Sequence, residues 1–299
     1  MSSRFPIMVT GGSGQLGHAL SVSLPAAGLE CKMLSRPEFD FDQPATIRHA
    51  FARIRPALVI NAAAYTAVDA AESDQEAAYR ANRDGPALLA ELCADAGIPL
   101  IHISTDYVFD GSKAAPYTET DTPCPTGVYG ASKRAGEEAV EASGADAIIL
   151  RTSWVYAAKG KNFARTMINA GRKVTSLKVV ADQRGTPTAA EDLARVITEI
   201  TLLIRERGFK EQYRGIFHAT GAGETTWHGF AIAIFEEAVK HGESMPEILP
   251  ISTADWPTPT RRPADSRLAG DKLQAVFGVS LPPWRGTVGP VVRAMLDHW

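Results

Sequence analysis

Tyr129 and Lys133 stand four residues apart in Tyr-Gly-Ala-Ser-Lys. On a helix this spacing puts both side chains on one face, one turn apart. A phenol ionises near pH ~10, too weak an acid for ready proton exchange at neutral pH; a nearby ammonium favours the phenolate and draws that value down. A Tyr tuned in this way can protonate an alkoxide or take the proton from an alcohol. Tyr-x-x-x-Lys alone recurs by chance, so its meaning depends on the elements that position it.

The N-terminal segment supplies one such element. An apolar run at residues 6–10 leads into Gly11-Gly12-Ser13-Gly14-Gln15-Leu16-Gly17, then into an amphipathic run at 18–24. Strand, glycine loop and helix form the context of a dinucleotide fingerprint. Gly11 permits the tight turn, Gly14 lets backbone approach a pyrophosphate, and Gly17 lets helix pack on strand, while the helix N-terminus offers free amides. The spacing is G-x-x-G-x-x-G rather than the commoner G-x-G-x-x-G. The second strand, at 30–34, ends in Ser35-Arg36. An acid there suits the ribose 2′-hydroxyl of NAD, whereas an Arg suits a 2′-phosphate, so Arg36 tilts the cofactor towards NADPH, with NADH possible. A hydride from such a cofactor is the natural complement of a proton from Tyr129.

Two further apolar runs, 58–61 and 100–104, read as strands buried on both faces. Ala62, Ala63, Ala64 and Tyr65 follow the first, and Thr105 and Asp106 the second, with an alanine-rich helical stretch at 69–96 between them. Ligands of open parallel sheets lie beyond the carboxyl ends of the strands, so Gly11, Ala62 and Thr105 are expected to converge. A strand at 147–151 follows. After about residue 155 the chain reads as less regular, and 255–267 reads as a loop of aromatic and basic groups (Trp256, Arg261, Arg262, Arg267) suited to an anionic small molecule.

The chain has 299 residues, 45 % hydrophobic and 22 % charged, with a net charge of −3. These are ordinary globular values, and the charge gives no support for nucleic-acid or anionic-membrane binding. No apolar run approaches the ~18 residues of a membrane span, and no signal peptide is expected. Cys31, Cys93 and Cys124 are widely spaced, which fits reduced thiols and a cytoplasmic protein. The seven His form no ligand set, so no metal is expected. Strands alternating with helices argue for an α/β fold with a parallel sheet.

Several longer motifs run in order from about residue 7 to about 270: Asn61 to Asp69, Ser104 to Gly111, Val128 to Lys133 with Gly136-Glu137, Arg151 to Tyr156, Asn162-Phe163, Asp182 to Thr188, and Arg262 to Leu268. With the glycine loop, Tyr-x-x-x-Lys and a Ser/Thr after the fifth parallel strand, they resemble the extended short-chain dehydrogenases/reductases. Within these, they resemble the dTDP-4-dehydrorhamnose reductase family. The resemblance implies a Rossmann-like doubly wound sheet in residues 1–155, with later segments returning to it, and a smaller α/β substrate-binding domain mainly in 156–299. It implies NADPH-dependent reduction of a dTDP-sugar ketone, with Thr105, Tyr129 and Lys133 as the catalytic set. Ser104, the rival to Thr105, is expected on the other strand face. Asp40 and Phe41 resemble the family's adenine-contacting pair, and read equally as a turn before the next helix.

For the substrate the resemblance implies Trp154, Asn162 and Arg262, with Val68, Asp69, Asp106 and Tyr107 nearby. Trp154 reads either as a flat surface for sugar or base or as core packing, and Arg262 as a fork for a diphosphate. Some members dimerise through a magnesium site of glutamates; Ala19 stands at one of those positions, although Glu191 could match another, so a monomer or weak homodimer is expected. Two other readings stay open. One is an epimerase or dehydratase of the same superfamily, although dehydratases use an acidic pair where this chain has Asp106-Tyr107. The other is a non-catalytic NADP-binding regulatory subunit.

Overall fold

A computed structural model describes residues 6–297. Its centre is a sheet of six parallel strands, β1 (Ile7–Thr10), β2 (Cys31–Leu34), β3 (Leu58–Asn61), β4 (Leu100–Thr105), β5 (Ala147–Thr152) and, after four short strands β6 (Val155–Tyr156), β7 (Ser176–Val180), β8 (Arg184–Gly185) and β9 (Thr188–Ala189), β10 (Gly215–His218). The spatial order is β10-β5-β4-β3-β1-β2. The chain therefore runs outward from β1 to β2, then crosses back to β3 on the other side of β1. That reversal opens a crevice at the carboxyl ends of β1 and β3, where ligands of doubly wound sheets bind.

Alternation along each strand builds two cores, one on each face. Ile7, Val9, Leu58, Ile60, Ile101, Ile148 and Leu150 pack against α1 (Gln15–Ala26) and the later α8 (Ala190–Arg207). Met8, Val59, Leu100 and Ile149 face the other way, towards α2 (Pro44–Ile54), α5 (Gly85–Ala96) and Val140 of α6 (Val128–Ala142). Burying an aliphatic side chain of this size contributes about 1.5–3 kcal/mol, which makes the register of the sheet hard to shift.

The helical stretch expected over 69–96 is broken into α3 (Val68–Ala71), α4 (Gln75–Tyr79), a π-helical turn at Arg80–Asp84, and α5. The stretch after residue 155, expected to be less regular, carries five helices: α7 (Phe163–Gly171), α8, α9 (Trp227–Val239), α10 (Asp271–Phe277) and α11 (Trp284–Asp297). Of these, α8 packs on α1 and β10 completes the sheet, while α7, α9 and α11 form a third core around Tyr156, Phe230, Ile234 and Val292. Two further strands, β11 (Thr225–Thr226) and β12 (Glu247–Ile251), pair with β8 and β7. Among the described residues no helix is long and apolar enough to cross a membrane, and the three cysteines form no disulfide.

Candidate active site

The glycine loop joins β1 to α1. Gly11 has φ 70, and a Cβ there would meet the backbone of Ala62 at 2.7 Å. Only glycine permits that conformation and that approach. Gly17 lies within α1, where a Cβ would lie 2.2 Å from the Gly11 carbonyl oxygen. A buried polar chain ties the strand ends beneath this loop. The Thr10 hydroxyl donates to Asn61 Oδ1 at 2.6 Å, Asn61 Nδ2 meets His102 Nδ1 at 2.9 Å, and the Ala63 N–H donates to the Thr10 hydroxyl at 3.2 Å. Burial and the charge of Lys133 hold His102 well below its ordinary pKa, so Nδ1 is free to accept.

A cleft of about 700 Å³ opens above these strand ends. Gly11, Ser13, Gly14, Gln15 and Leu16 line one wall, and Ala62, Ala63, Ala64 and Tyr65 lie beside them. Ser35, Arg36, Asp40 and Phe41 line the end beyond β2. Asp40 and Phe41 satisfy both sequence readings. They line the cleft, and they belong to the turn before α2, where Thr46 Oγ1 accepts from the Asp40 N–H at 2.9 Å. Thr105, Asp106, Tyr107, Tyr129, Lys133 and Trp154 line the opposite end, with Val68 nearby. The glycine cradle, the small residues at 62–64 and the exposed Arg36 fit an extended dinucleotide.

Thr105 closes β4, the fourth strand in the chain rather than the fifth, and lies 5 % exposed. Its hydroxyl accepts from the Tyr107 N–H at 3.2 Å and donates to Asp106 Oδ1 at 3.1 Å. Ser104 is among the residues along the cleft, but its hydroxyl turns to the buried Glu137 carboxyl, away from the Thr105 hydroxyl; after Thr105 the chain enters a 3-10 turn at Asp106–Val108. Asp106 is buried, and burial pushes its carboxyl up to about 6 against the Ser266 and Thr105 hydrogen bonds.

Tyr129 and Lys133 lie one turn apart on α6, as the spacing requires. Lys133 Nζ donates to the Ile103 carbonyl at 2.6 Å, and burial draws its pKa down to about 8 against the opposing charge of Glu137. The expected lowering of the Tyr129 phenol by Lys133 does not hold here. Burial raises that phenol, the Thr105 hydroxyl opposes the rise, and Asp106 and Tyr107 add to it. The ammonium faces a carbonyl instead, so desolvation decides the direction. Tyr129 is therefore a neutral phenol at physiological pH, the state a proton donor needs.

The substrate-side residues divide. Trp154 both lines the cleft and packs; its indole stacks on Trp227 with centroids 3.5 Å apart. Its φ of 46 is a strained value for a large side chain, costing about 1–3 kcal/mol, of a kind that clusters at functional sites. Arg262 and Asp69 do not line the cleft but form an ion pair at 2.8 Å, and Arg262 also donates to the Tyr107 hydroxyl at 3.0 Å. Asn162 turns out to be the cap of α7. Its Oδ1 accepts from the Arg165 N–H at 3.0 Å, and its Nδ2 donates to Gln15 Oε1 at 2.9 Å and the Ala157 carbonyl at 2.8 Å. Both side-chain N–H groups and one acceptor site of Oδ1 are spent on the protein. In the 255–267 loop, Arg267 is held by Asp265 and Glu224, so part of its basic character is neutralised internally. Among the described residues no three His, Cys, Asp or Glu side chains gather as a metal-ligand set.

Sequence reasoning missed Asn82, which lies in the π-helical turn and is fully buried. Its side chain accepts from the Tyr65 N–H at 2.9 Å and donates to the Tyr65 carbonyl at 3.1 Å and to Ser132 Oγ at 3.0 Å. It thereby locks the loop after β3 to the turn of α6 that carries Lys133. A mid-helix Asn is unfavourable unless its side chain has such work, but that signal is too common to single out a residue. Gly136 lets α6 approach, since a Cβ there would lie 1.9 Å from the Asn82 carbonyl oxygen.

Residues 5–296 match the protein family described as RmlD substrate binding domain. The chain is 45 % identical, over 98 % of its length and 99 % of the relative's, to a dTDP-4-dehydrorhamnose reductase of Burkholderia thailandensis, and 39 % identical over 98 % and 97 % to one of Escherichia coli. Among solved structures, a dTDP-4-dehydrorhamnose reductase of Bacillus anthracis in complex with NADP superimposes with a TM-score of 0.88 at 33 % identity, covering 96 % of this chain and 98 % of that one. A UDP-glucose 4-epimerase of Thermus thermophilus shares the fold at a TM-score of 0.80 and 22 % identity, over 99 % of this chain and all of that one. The chain belongs to the dTDP-4-dehydrorhamnose reductase family.

Proposed function

We propose that this chain reduces the C4 ketone of dTDP-4-dehydro-L-rhamnose to the alcohol of dTDP-L-rhamnose, using NADPH and, less well, NADH. The observation that carries this reading is the meeting of Tyr129, Lys133 and Thr105 with the glycine loop in one cleft at the switch point of the sheet. Residues 1–155, with β10 and α8 returning to them, would hold the dinucleotide, and the rest would mainly hold the sugar nucleotide. The absence of a membrane-spanning helix among the described residues is compatible with work in the cytoplasm.

Gly11 to Leu16, Ser35, Arg36, Asp40, Phe41 and Ala62 to Tyr65 would hold the cofactor, which supplies a hydride when bound. The residues of the chain do the rest. The neutral Tyr129 phenol gives its proton to the developing alkoxide, so the ketone gains hydride at carbon and a proton at oxygen. The Thr105 hydroxyl, turning its O–H from Asp106 to the substrate, would hold the carbonyl oxygen against Tyr129. Lys133, held by the Ile103 carbonyl, offers its remaining protons to the nicotinamide ribose. Trp154 offers its indole face to the sugar nucleotide, and Arg262 would stand by its diphosphate, aligned by Asp69 and Tyr107. Asn162 contributes only through the loop that it caps.

The direct test is NADPH consumption with dTDP-4-dehydro-L-rhamnose, read by absorbance, with the product's C4 configuration read by NMR. Formation of dTDP-L-rhamnose supports the reading. A different C4 epimer would keep the chemistry and change the product, and NADPH bound without turnover would favour a regulatory subunit. Arg36 gives a second test. A charge-assisted hydrogen bond contributes about 1.5–3 kcal/mol, so Arg36→Ala should weaken NADPH by roughly 10–100-fold and leave NADH nearly unchanged. Equal losses for the two cofactors would remove Arg36 from the 2′-phosphate.

A further inference from the structure

The loop between β6 and α7, residues 157–162, lies against the glycine loop. Asn162 Nδ2 donates to Gln15 Oε1 at 2.9 Å, and Gln15 Nε2 reaches back to the Val155 carbonyl at 3.5 Å. Gly160 has φ 88, and a Cβ there would stand 3.0 Å from Gln15 Cγ. The next residue, Lys161, is exposed and lines the same cleft as Gly14 and Gln15. It also lines a second, open recess with Lys159, Arg165 and Lys173. No acidic residue occurs between Asp146 and Asp182, so this stretch of a chain with net charge −3 is locally basic.

We propose that this loop is a clasp over the diphosphate of the bound dinucleotide, with Lys161 supplying a cation that the glycine loop lacks. The inference rests on the reading of the cleft as a dinucleotide site. The glycine loop offers backbone N–H groups but no positive side chain between Gly11 and Gly17, whereas a diphosphate carries concentrated negative charge. A Lys ammonium on a flexible stem serves such a group as a point charge. The hydrogen bond between Asn162 and Gln15 fixes where that stem starts. Since the diphosphate is common to NADPH and NADH, Lys161 acts on both alike, unlike Arg36.

The test is cofactor affinity, measured by fluorescence titration of the whole protein with NADPH and NADH without sugar. Lys161→Gln should weaken both by a similar factor, roughly 5–30-fold at low salt, allowing for exposure. The loss should shrink as salt rises, because exposed charges are screened, and Lys161→Arg should restore most of the affinity. Lys173→Gln, in the same basic recess but outside the cleft, should bind both cofactors as the unaltered protein does. Unchanged affinity in Lys161→Gln, a loss confined to NADPH, or an equal loss in Lys173→Gln would each overturn the clasp. If the unaltered protein binds neither cofactor, the dinucleotide reading falls and the clasp with it; normal binding with an indifferent Lys161 removes the clasp alone.

Discussion

Tyr129→Phe lowers kcat for ketone reduction by about 10²–10⁴-fold, the usual contribution of a positioned general acid, while NADPH affinity stays within a few-fold. The substitution removes one oxygen and keeps the ring. That ring lies 9 % exposed and packs edge-on against Tyr107, with centroids 5.5 Å apart, so the fold and the cleft survive. What disappears is a proton source that shares both the helix face of Lys133 and the hydroxyl contact of Thr105. Thermal stability within a few degrees of the unaltered protein, normal NADPH binding and a collapsed kcat form the expected set. Turnover close to that of the unaltered protein would remove Tyr129 as the acid and direct attention to Asp106, the other protonatable group buried beside Thr105.

Arg151→Met has the largest expected effect on stability. Arg151, on β5, grips Glu137 of α6 through two bonds, Nε to Oε1 at 2.8 Å and Nη2 to Oε2 at 2.7 Å, with side-chain exposures of 1 % and 0 %. Removing one partner of such a pair leaves an uncompensated buried charge and costs about 3–5 kcal/mol. Arg134 also reaches Glu137 at 3.0 Å from the surface, which places the loss towards the lower end. The double variant Arg151→Met with Glu137→Gln should recover much of it, since no buried charge is then left alone. Chemical denaturation of the three proteins checks this; a double variant as unstable as the single would mean that shape, not charge, is what the pair provides.

The pH dependence follows from the same pair. Burial alone would raise the Glu137 carboxyl, but the hydrogen bonds and charge of Arg151 outweigh it and hold the group below its ordinary value. A lowered folded-state value means that the unfolded chain binds the proton more readily. The stabilisation is therefore present above the ordinary carboxylate range near pH ~4.3 and is lost as pH falls through the folded value. In the double variant this contribution to acid sensitivity should vanish. Glu137 sits one turn beyond Lys133, so the pair also ties the helix that presents Tyr129 to β5.

Much of the N-terminal half was legible because its signals are local. An apolar run of four residues, a glycine turn and an amphipathic segment dictate β1, its loop and α1 with no help from the rest of the chain, and the Tyr129–Lys133 spacing needs only a helix. The resemblance, carried by motifs spread from residue 61 to 268, pointed to the right family. Local periodicity also placed β3, β4 and β5. It failed at 69–96, where a π-helical turn interrupts an alanine-rich pattern, and it read the chain after residue 155 only as less regular, although α7, α9 and α11 bury a core of their own.

The sequence by itself determined which groups are candidates for the chemistry: a phenol and an ammonium one turn apart, a hydroxyl at a strand end, and glycines that admit close backbone approach. Tertiary structure alone decided how they are held and charged. Burial, which no window of sequence reports, lifts the Tyr129 phenol and lowers the Lys133 ammonium. Contacts across 147 residues latch Asn162, the cap of α7, to Gln15. Contacts across 17 and 50 residues make Asn82 the anchor of the cleft. Spacing along a chain encodes one helix or strand at a time, whereas desolvation and hydrogen-bond partnership depend on what the fold brings from elsewhere.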